Sequence, residues 1–348
     1  MEKFKKRSLC VSIPASIAVP RVASCAAAFL SLIALGAPAQ EANPADLVGA
    51  LNGVFGKHSG QRATHAKGTC VVGSFVSSGN AAELSSAKLF QVGAQMLVTG
   101  RFSVGGGNPA ASDKGKTVRG LALRFGARDA PELDLVLVSA PVFMVATPDE
   151  FMGFMAARRP DPATGKADPA LVKAFNDAHP STRAQIQYLN TTPVTASYAT
   201  SAFWGVNAFH FLKEKKQTAA RWRAEPVAGR RGLTDAELAL LPDDFLKDEL
   251  SRRLTVDAVE FDLMLQVANA EDDVRNPTVA WPASRKEVNA GRLRIESVQS
   301  STASADSGCE ALMFNPAQLP SGIALSDDPT LKVRAAAYAV SLSRRLQR

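Results

Sequence analysis

Cysteine is scarce in this chain of 348 residues: there are four, and two of them, Cys10 and Cys25, stand near the start. Cys70 and Cys309 remain. They are isolated, with no histidine pattern beside them, which argues against zinc and for structural residues. An oxidising compartment would allow them to pair; the spacing alone leaves pairing and non-pairing open. Long apolar runs are missing too. The longest small-and-apolar stretch, Cys25 to Gly36, is too short to span a bilayer. It follows a cationic head (Lys3, Lys5, Lys6, Arg7) and leads into Ala37-Pro38-Ala39. That succession predicts a secretory signal peptide over residues 1–39. A periplasmic location and no stable membrane anchor are expected in consequence.

A surplus of positive charge is also missing once the leader is set aside. The formal charge of the whole chain is +7, but the leader takes five Lys or Arg and one acid with it. Residues 40–348 then carry 35 basic against 32 acidic residues, a charge of +3. A nucleic-acid partner is not expected from such a balance. No internal repeat and no long low-complexity tract follows the leader. The remaining length is enough for one large domain with an ample core.

What is present reads first as strand. Thr69–Val76, Gln95–Val104, Thr117–Phe125 and Leu133–Ala146 are β-branched and apolar runs, separated by turns such as Gly105-Gly106-Gly107-Asn108. Pro148-Asp149-Glu150 opens a helix through Arg158, with acids in its first turn. Phe203–Leu212, Ala219–Ala224, Val259–Ala268 and Arg292–Val298 are further strands. Helical signals begin at Thr234 and Asp243, and the Ala-rich segment from Asp328 onward is helical. Antiparallel strands with interspersed helices predict an α+β fold, a closed antiparallel barrel carrying helical additions.

Two segments carry candidate chemistry. Arg62-Ala-Thr-His65-Ala-Lys-Gly68 sets a histidine in a Gly-bounded turn, and Arg101-Phe102-Ser103 ends a strand. Taken alone, such a histidine is more often a satisfied core or surface residue. In the last helix Arg334, Tyr338, Ser341 and Arg345 follow at i, i+4, i+7 and i+11, along one face. A phenol ordinarily keeps its proton; a guanidinium one turn away favours the phenolate, and a ferric ion on the oxygen favours it more. Tyr is a known haem-iron ligand. The blander alternative is a basic amphipathic tail with Tyr338 packed against the core.

These pieces occur in the order found in catalases. The chain resembles that family from about Val54 to Leu346, and in particular its small, catalase-related peroxidases. The resemblance runs through Arg62-x-x-His65-Ala-Lys-Gly, Gly100-Arg101-Phe102-Ser103 and Val118-Arg119-Gly120-Leu121-Ala122. Pro141-Val142-Phe143-Met144, Pro148-x-x-Phe151 and Gly205-Val206-Asn207-Ala208-Phe209 follow. It ends with Leu331-x-x-Arg334-x-x-x-Tyr338 and Arg345-Leu346. The resemblance implies a barrel of about eight strands over residues 40–348, with haem b wedged between barrel and C-terminal helix. It implies Tyr338 as iron ligand, with Arg334 beside it. His65 is implied as the group that takes a proton from peroxide and returns it, oriented by Ser103. Arg62, Arg101 and Arg345 are implied as contacts of the haem propionates. Phe143 and Phe151 would line the pocket, and Asp113 would be an acid in its access channel.

The implied activity is reduction of hydrogen peroxide or organic hydroperoxides by a small organic donor. The resemblance has departures. Val138 stands where catalases have an asparagine beside the distal histidine; losing that hydrogen-bond donor should weaken catalase turnover more than peroxidation. Gly105 aligns with the valine that narrows the family's main channel, which predicts wider access. Ten residues follow Tyr338, and a homodimer is expected rather than an interlocked tetramer. The alternatives are an enzyme that cleaves or rearranges fatty-acid hydroperoxides on the same scaffold, and a non-catalytic barrel that binds haem or lipid.

Overall fold

A computed structural model describes residues 42–299 and 308–347. The leader expected at 1–39 lies outside the described residues. Helix α1 (Pro44–Phe55) comes first, started by Asn43, whose side chain accepts a hydrogen bond from the Ala45 amide. Four long strands follow: β1 (Gly68–Ser77), β2 (Gln95–Val104), β3 (Arg119–Gly126) and β4 (Pro131–Val138). Three helices come next, α2 (Pro148–Ala157), α3 (Pro169–Ala178) and α4 (Arg183–Thr191). The chain then returns to strand with β5 (Phe203–Trp204), β6 (Phe209–Lys213) and β7 (Lys216–Pro226). After α5 (Asp235–Ala239) and α6 (Phe245–Leu254) come β8 (Val259–Val267) and β9 (Glu287–Val298). The short β10 (Ile323–Leu325) precedes the last helix, α7 (Pro329–Leu346).

All strand pairings are antiparallel, in the order β7-β5-β4-β3-β2-β1-β9-β8, and β8 pairs back onto β7. The ring therefore closes on eight strands, with β6 and β10 added beside β7. Closure removes the free edges that an open sheet would present. Alternation in the strands sets which side chains fill the interior: β1 buries every second residue through most of its length. Phe75, Phe102, Phe125, Phe203, Phe261 and Trp222 are fully buried or nearly so and meet as aromatic pairs, Phe75 against Phe125 edge to face at 5.4 Å. Each such side chain stabilises the fold by about 1.5–3 kcal/mol through burial. The barrel interior is thus packed solid, and the site has to lie outside it.

The sequence expectations hold for eight strands and the last helix, with three differences. The strand expected over Leu133–Ala146 stops at Val138, which pairs with Gly120 on one side and Trp204 on the other. Beyond it Pro141 has no amide to give a ladder. The strand expected over Phe203–Leu212 is split into β5 and β6, and the break leaves Asn207 free to face α7. Helices α1, α3 and α4 were not expected at all. Helix α1 packs on both α2 and α7, and α2 also touches α7.

Candidate active site

Nine of the residues singled out by the resemblance line one cavity of about 430 Å³: Arg62, His65, Arg101, Ser103, Phe143, Phe151, Arg334, Tyr338 and Arg345. It lies where β2, β3 and β4 meet α1, α2 and α7. His65 stands between α1 and β1 with a positive φ of 55°, a conformation uncommon for a residue with a side chain. Its Nδ1 is hydrogen-bonded to Ser103 Oγ at 2.9 Å, which leaves Nε2 as the free ring nitrogen. Ser103 is the Cα partner of Gly120 across the β2–β3 ladder. A Cβ at Gly120 would stand 2.4 Å from Ser103 Oγ and 2.8 Å from His65 Nδ1, so the pair exists because position 120 has no side chain. Burial, together with the positive charges of Arg101, Arg334, Arg62 and Arg119, lowers the His65 pKa to about 4. The imidazole is therefore neutral over the ordinary pH range, able to accept a proton.

Tyr338 is held in a different way. Arg334, one turn earlier on α7, donates from Nη2 (2.7 Å) and Nε (3.2 Å) to the phenol oxygen. Its Nη1 donates to Asn207 Oδ1 at 2.6 Å. Asn207 in turn donates to Asp328 Oδ2 (2.7 Å) and Thr330 Oγ1 (3.0 Å), both buried. Asp328 is the N-cap of α7 and accepts from the Thr330 and Leu331 amides. The cap that starts the helix thus also fixes the amide that aims the arginine at Tyr338. Asn207, Asp328 and Thr330 were not among the sequence-predicted site residues; Asn207 stood inside a quoted motif, and Asp328 only marked where the last helical segment begins.

At another part of the cavity three guanidiniums gather. Arg101 donates to the carbonyls of His65 (2.7 Å) and Ala66 (2.9 Å) and from Nε to Glu310 Oε1 (2.7 Å). Arg62 pairs with the same carboxylate and donates to the carbonyls of Cys309 and Leu312. Arg345 donates from Nη2 to the Leu312 carbonyl at 2.7 Å, and its buried Nε has no partner. Arg62 is pulled below the usual guanidinium range by burial, and further by Arg101 and Arg345 beside it. Cys70 and Cys309 form a disulfide close by, which answers the pairing question the spacing left open.

Most of the remaining wall is apolar: Phe143, Phe151, Phe154 and Met155 from the α2 side, Leu47, Val48, Leu51 and Phe55 from α1. The α1 contribution was missed; the Asn43-Pro44 start and the Leu47, Leu51, Phe55 spacing of four were its signal. Val138 faces the cavity, in keeping with the departure noted above. Gly105 lines the cavity, where a Cβ would meet Thr117 Oγ1 at 2.7 Å and Val118 Cγ2 at 3.0 Å. One expectation is corrected. Asp113 is not among the residues lining the cavity. It is buried, paired with Lys67 at 2.8 Å, and accepts from the Leu246 amide at 2.9 Å, anchoring the start of α6.

The donor set fits haem. An apolar slot of this size suits a flat macrocycle, and pockets for cofactors span roughly 300–1,000 Å³. Arg345 Nε, buried without a partner, and the guanidiniums next to it suit the carboxylates of such a ring. The Tyr338 oxygen, held by a cation, suits ferric iron.

Comparison with known proteins agrees with this geometry. The family model described as Catalase matches residues 57–348. A catalase-related peroxidase from Synechococcus elongatus is 38% identical over 319 residues, covering 91% of this chain and 93% of the relative. Another, from Mycolicibacterium paratuberculosis, is 31% identical over 304 residues, covering 87% and 94%. Among solved structures, catalase A from Saccharomyces cerevisiae superposes with a TM-score of 0.75 at 20% identity, covering 83% of this chain and 62% of that one. At that identity the last likeness speaks for the fold alone.

Proposed function

The chain belongs to the catalase family, and on that premise we propose that it is a haem-dependent peroxidase, reducing hydrogen peroxide or organic hydroperoxides with a small organic donor. The observation that carries the reading is that His65–Ser103 and Arg334–Tyr338 open into the same cavity. Tyr338 Oη would hold haem b, which would supply the redox chemistry. The chain's own residues do the rest. Arg62, Arg101 and Arg345 anchor the carboxylates of the ring. His65 Nε2 would take a proton from a peroxide bound in the cavity and return it to the departing oxygen. Ser103 Oγ keeps the ring aimed during both transfers. Val138 offers no hydrogen bond to a second peroxide, so catalase turnover is weak beside peroxidation.

The names of the relatives support peroxidation over cleavage or rearrangement of fatty-acid hydroperoxides. The leader read in the sequence supports a periplasmic location after removal of residues 1–39, and a homodimer completes the proposal. No helix among the described residues is long and apolar enough to cross a membrane. The test is an absorption spectrum of the haem-supplied protein beside Tyr338→Phe, with donor oxidation and dioxygen release followed on the wild type. A ferric Soret band that shifts or vanishes in the variant, with donor oxidation outrunning dioxygen release, is expected. A well-folded protein that takes up no haem would sink the reading.

A further inference from the structure

We propose that the turn carrying Glu310 is a latch on the acidic edge of the cofactor: Glu310 positions Arg62 and Arg101 for the haem carboxylates, and the Cys70–Cys309 disulfide keeps Glu310 in place. The proposal rests on haem binding as read above, and it makes cofactor retention depend on a thiol–disulfide couple.

Glu310 belongs to the short turn Gly308–Ala311, next to Cys309, which is fully buried. Its two carboxylate oxygens are divided between Arg101 Nε and Arg62 Nη1. Both arginines line the cavity and Glu310 does not, so it backs them without occupying the space a ligand would fill. Arg62 also donates to the Cys309 and Leu312 carbonyls, and Arg345 to Leu312. The same short segment therefore orients all three guanidiniums.

Charge points the same way. The two carboxylates of a haem leave one of three clustered guanidiniums without a counter-charge. An unpaired buried cation is costly. Glu310 supplies the third carboxylate. Burial alone would raise its pKa, but Arg101 and Arg62 outweigh burial and hold it below its ordinary value, so it stays ionised.

The disulfide supplies the fixation. Cys70 is the Cα partner of Arg101 in the β1–β2 ladder, so the bond ties the turn to the rung that carries one of the arginines. It joins residues 239 apart. Downstream, the segment has a second attachment: Arg124 and Asp134 form a buried bidentate pair that also holds the Met313 carbonyl and the Asn315 amide. Breaking the disulfide thus frees the Glu310 half of the segment and leaves the other half anchored. Cys70, Cys309 and Glu310 also come together as potential metal ligands, but both sulfurs are consumed by their bond. In the switching step a dithiol passes two electrons and two protons to the disulfide. Two thiols form, and the dithiol becomes its own disulfide.

The test measures the rate at which haem leaves the loaded protein for an excess of haem-free globin, followed in the Soret region. Four samples are compared: wild type, Glu310→Gln, the pair Cys70→Ser with Cys309→Ser, and wild type reduced by dithiothreitol that is then removed without air. Each is loaded with haem and, separately, with haem dimethyl ester, which has no carboxylates. We expect haem loss to rise on the order of tenfold in the three altered samples, as for other groups that orient ligand-binding residues. The ester should leave all four at one rate. Combining Glu310→Gln with the cysteine replacements should add nothing further, since one latch is broken only once. Equal haem loss from all samples overturns the proposal. So does an equal acceleration for haem and ester, which would mean general loosening. A wild type that takes up neither porphyrin instead sinks the haem reading, and the latch with it.

Discussion

His65 and Tyr338 share a cavity, yet their surroundings use the same cation in opposite ways. Around His65 four arginines act at a distance, and with burial they keep the imidazole neutral. The hydrogen-bond partner of the ring is a neutral hydroxyl, Ser103 Oγ. At Tyr338 one arginine is in contact, with two donors on the phenol oxygen, and it is fixed through Asn207 to the buried cap Asp328. A guanidinium at a distance keeps an imidazole neutral; a guanidinium in contact fixes the direction of a phenol oxygen. The backbone differs as well. His65 sits in a left-handed turn kept open by the missing side chain of Gly120, whereas Tyr338 lies inside a regular helix of 18 residues.

Four experiments break or sharpen that contrast. The largest effect is expected from His65→Ala, which should lower peroxidase turnover on the order of a thousandfold while the Soret band remains, because proton transfer is lost and the iron site is untouched. If turnover persists, the base is elsewhere. Arg334→Gln removes the contact cation, and a fall in turnover of roughly 10–100-fold with a shifted visible spectrum is expected. An unchanged spectrum would show that the arginine does not tune the tyrosine. Ser103→Ala should cost about tenfold in turnover through a less well aimed ring, again with no spectral change at iron.

The smallest effect concerns the apoprotein. His65 has an ordinary value of 6.5 and is lowered to about 4 on folding, so between these values the unfolded chain binds more protons than the folded one. Stability should therefore fall as pH drops through that window, by at most about tenfold in the folding constant per pH unit for one proton. His65→Gln should flatten this part of the urea-unfolding profile. A profile identical to wild type would mean that the imidazole is not held neutral.

Much of this contrast was legible beforehand, for identifiable reasons. His65, Ser103, Arg334 and Tyr338 lie in short motifs whose spacing is set by a turn, a strand end and a helix face, and such local geometry survives in sequence. The eight strands were legible because β-branched runs and alternation follow from burial on one face. Helix α1 escaped because one terminal helix gives a short periodic signal, though it supplies an apolar wall of the cavity. Helices α3 and α4 have almost no buried residues to leave a pattern. Glu310 escaped altogether: its partners Arg62 and Arg101 are 248 and 209 residues away, and no local pattern records such a meeting.

The break between β5 and β6 has a consequence for the order in which the molecule forms. It turns Asn207 toward Asp328, a bond between residues 121 apart, while His65 and Ser103 are only 38 apart. Contacts between distant residues carry a larger closure entropy and are made later in folding. The histidine half of the cavity should therefore assemble with the first strand hairpins, and the tyrosine half only when α7 docks. By this order the chain should pass, during refolding, through a state in which the His65–Ser103 pair is set and the Arg334–Tyr338 side of the cavity is not yet built.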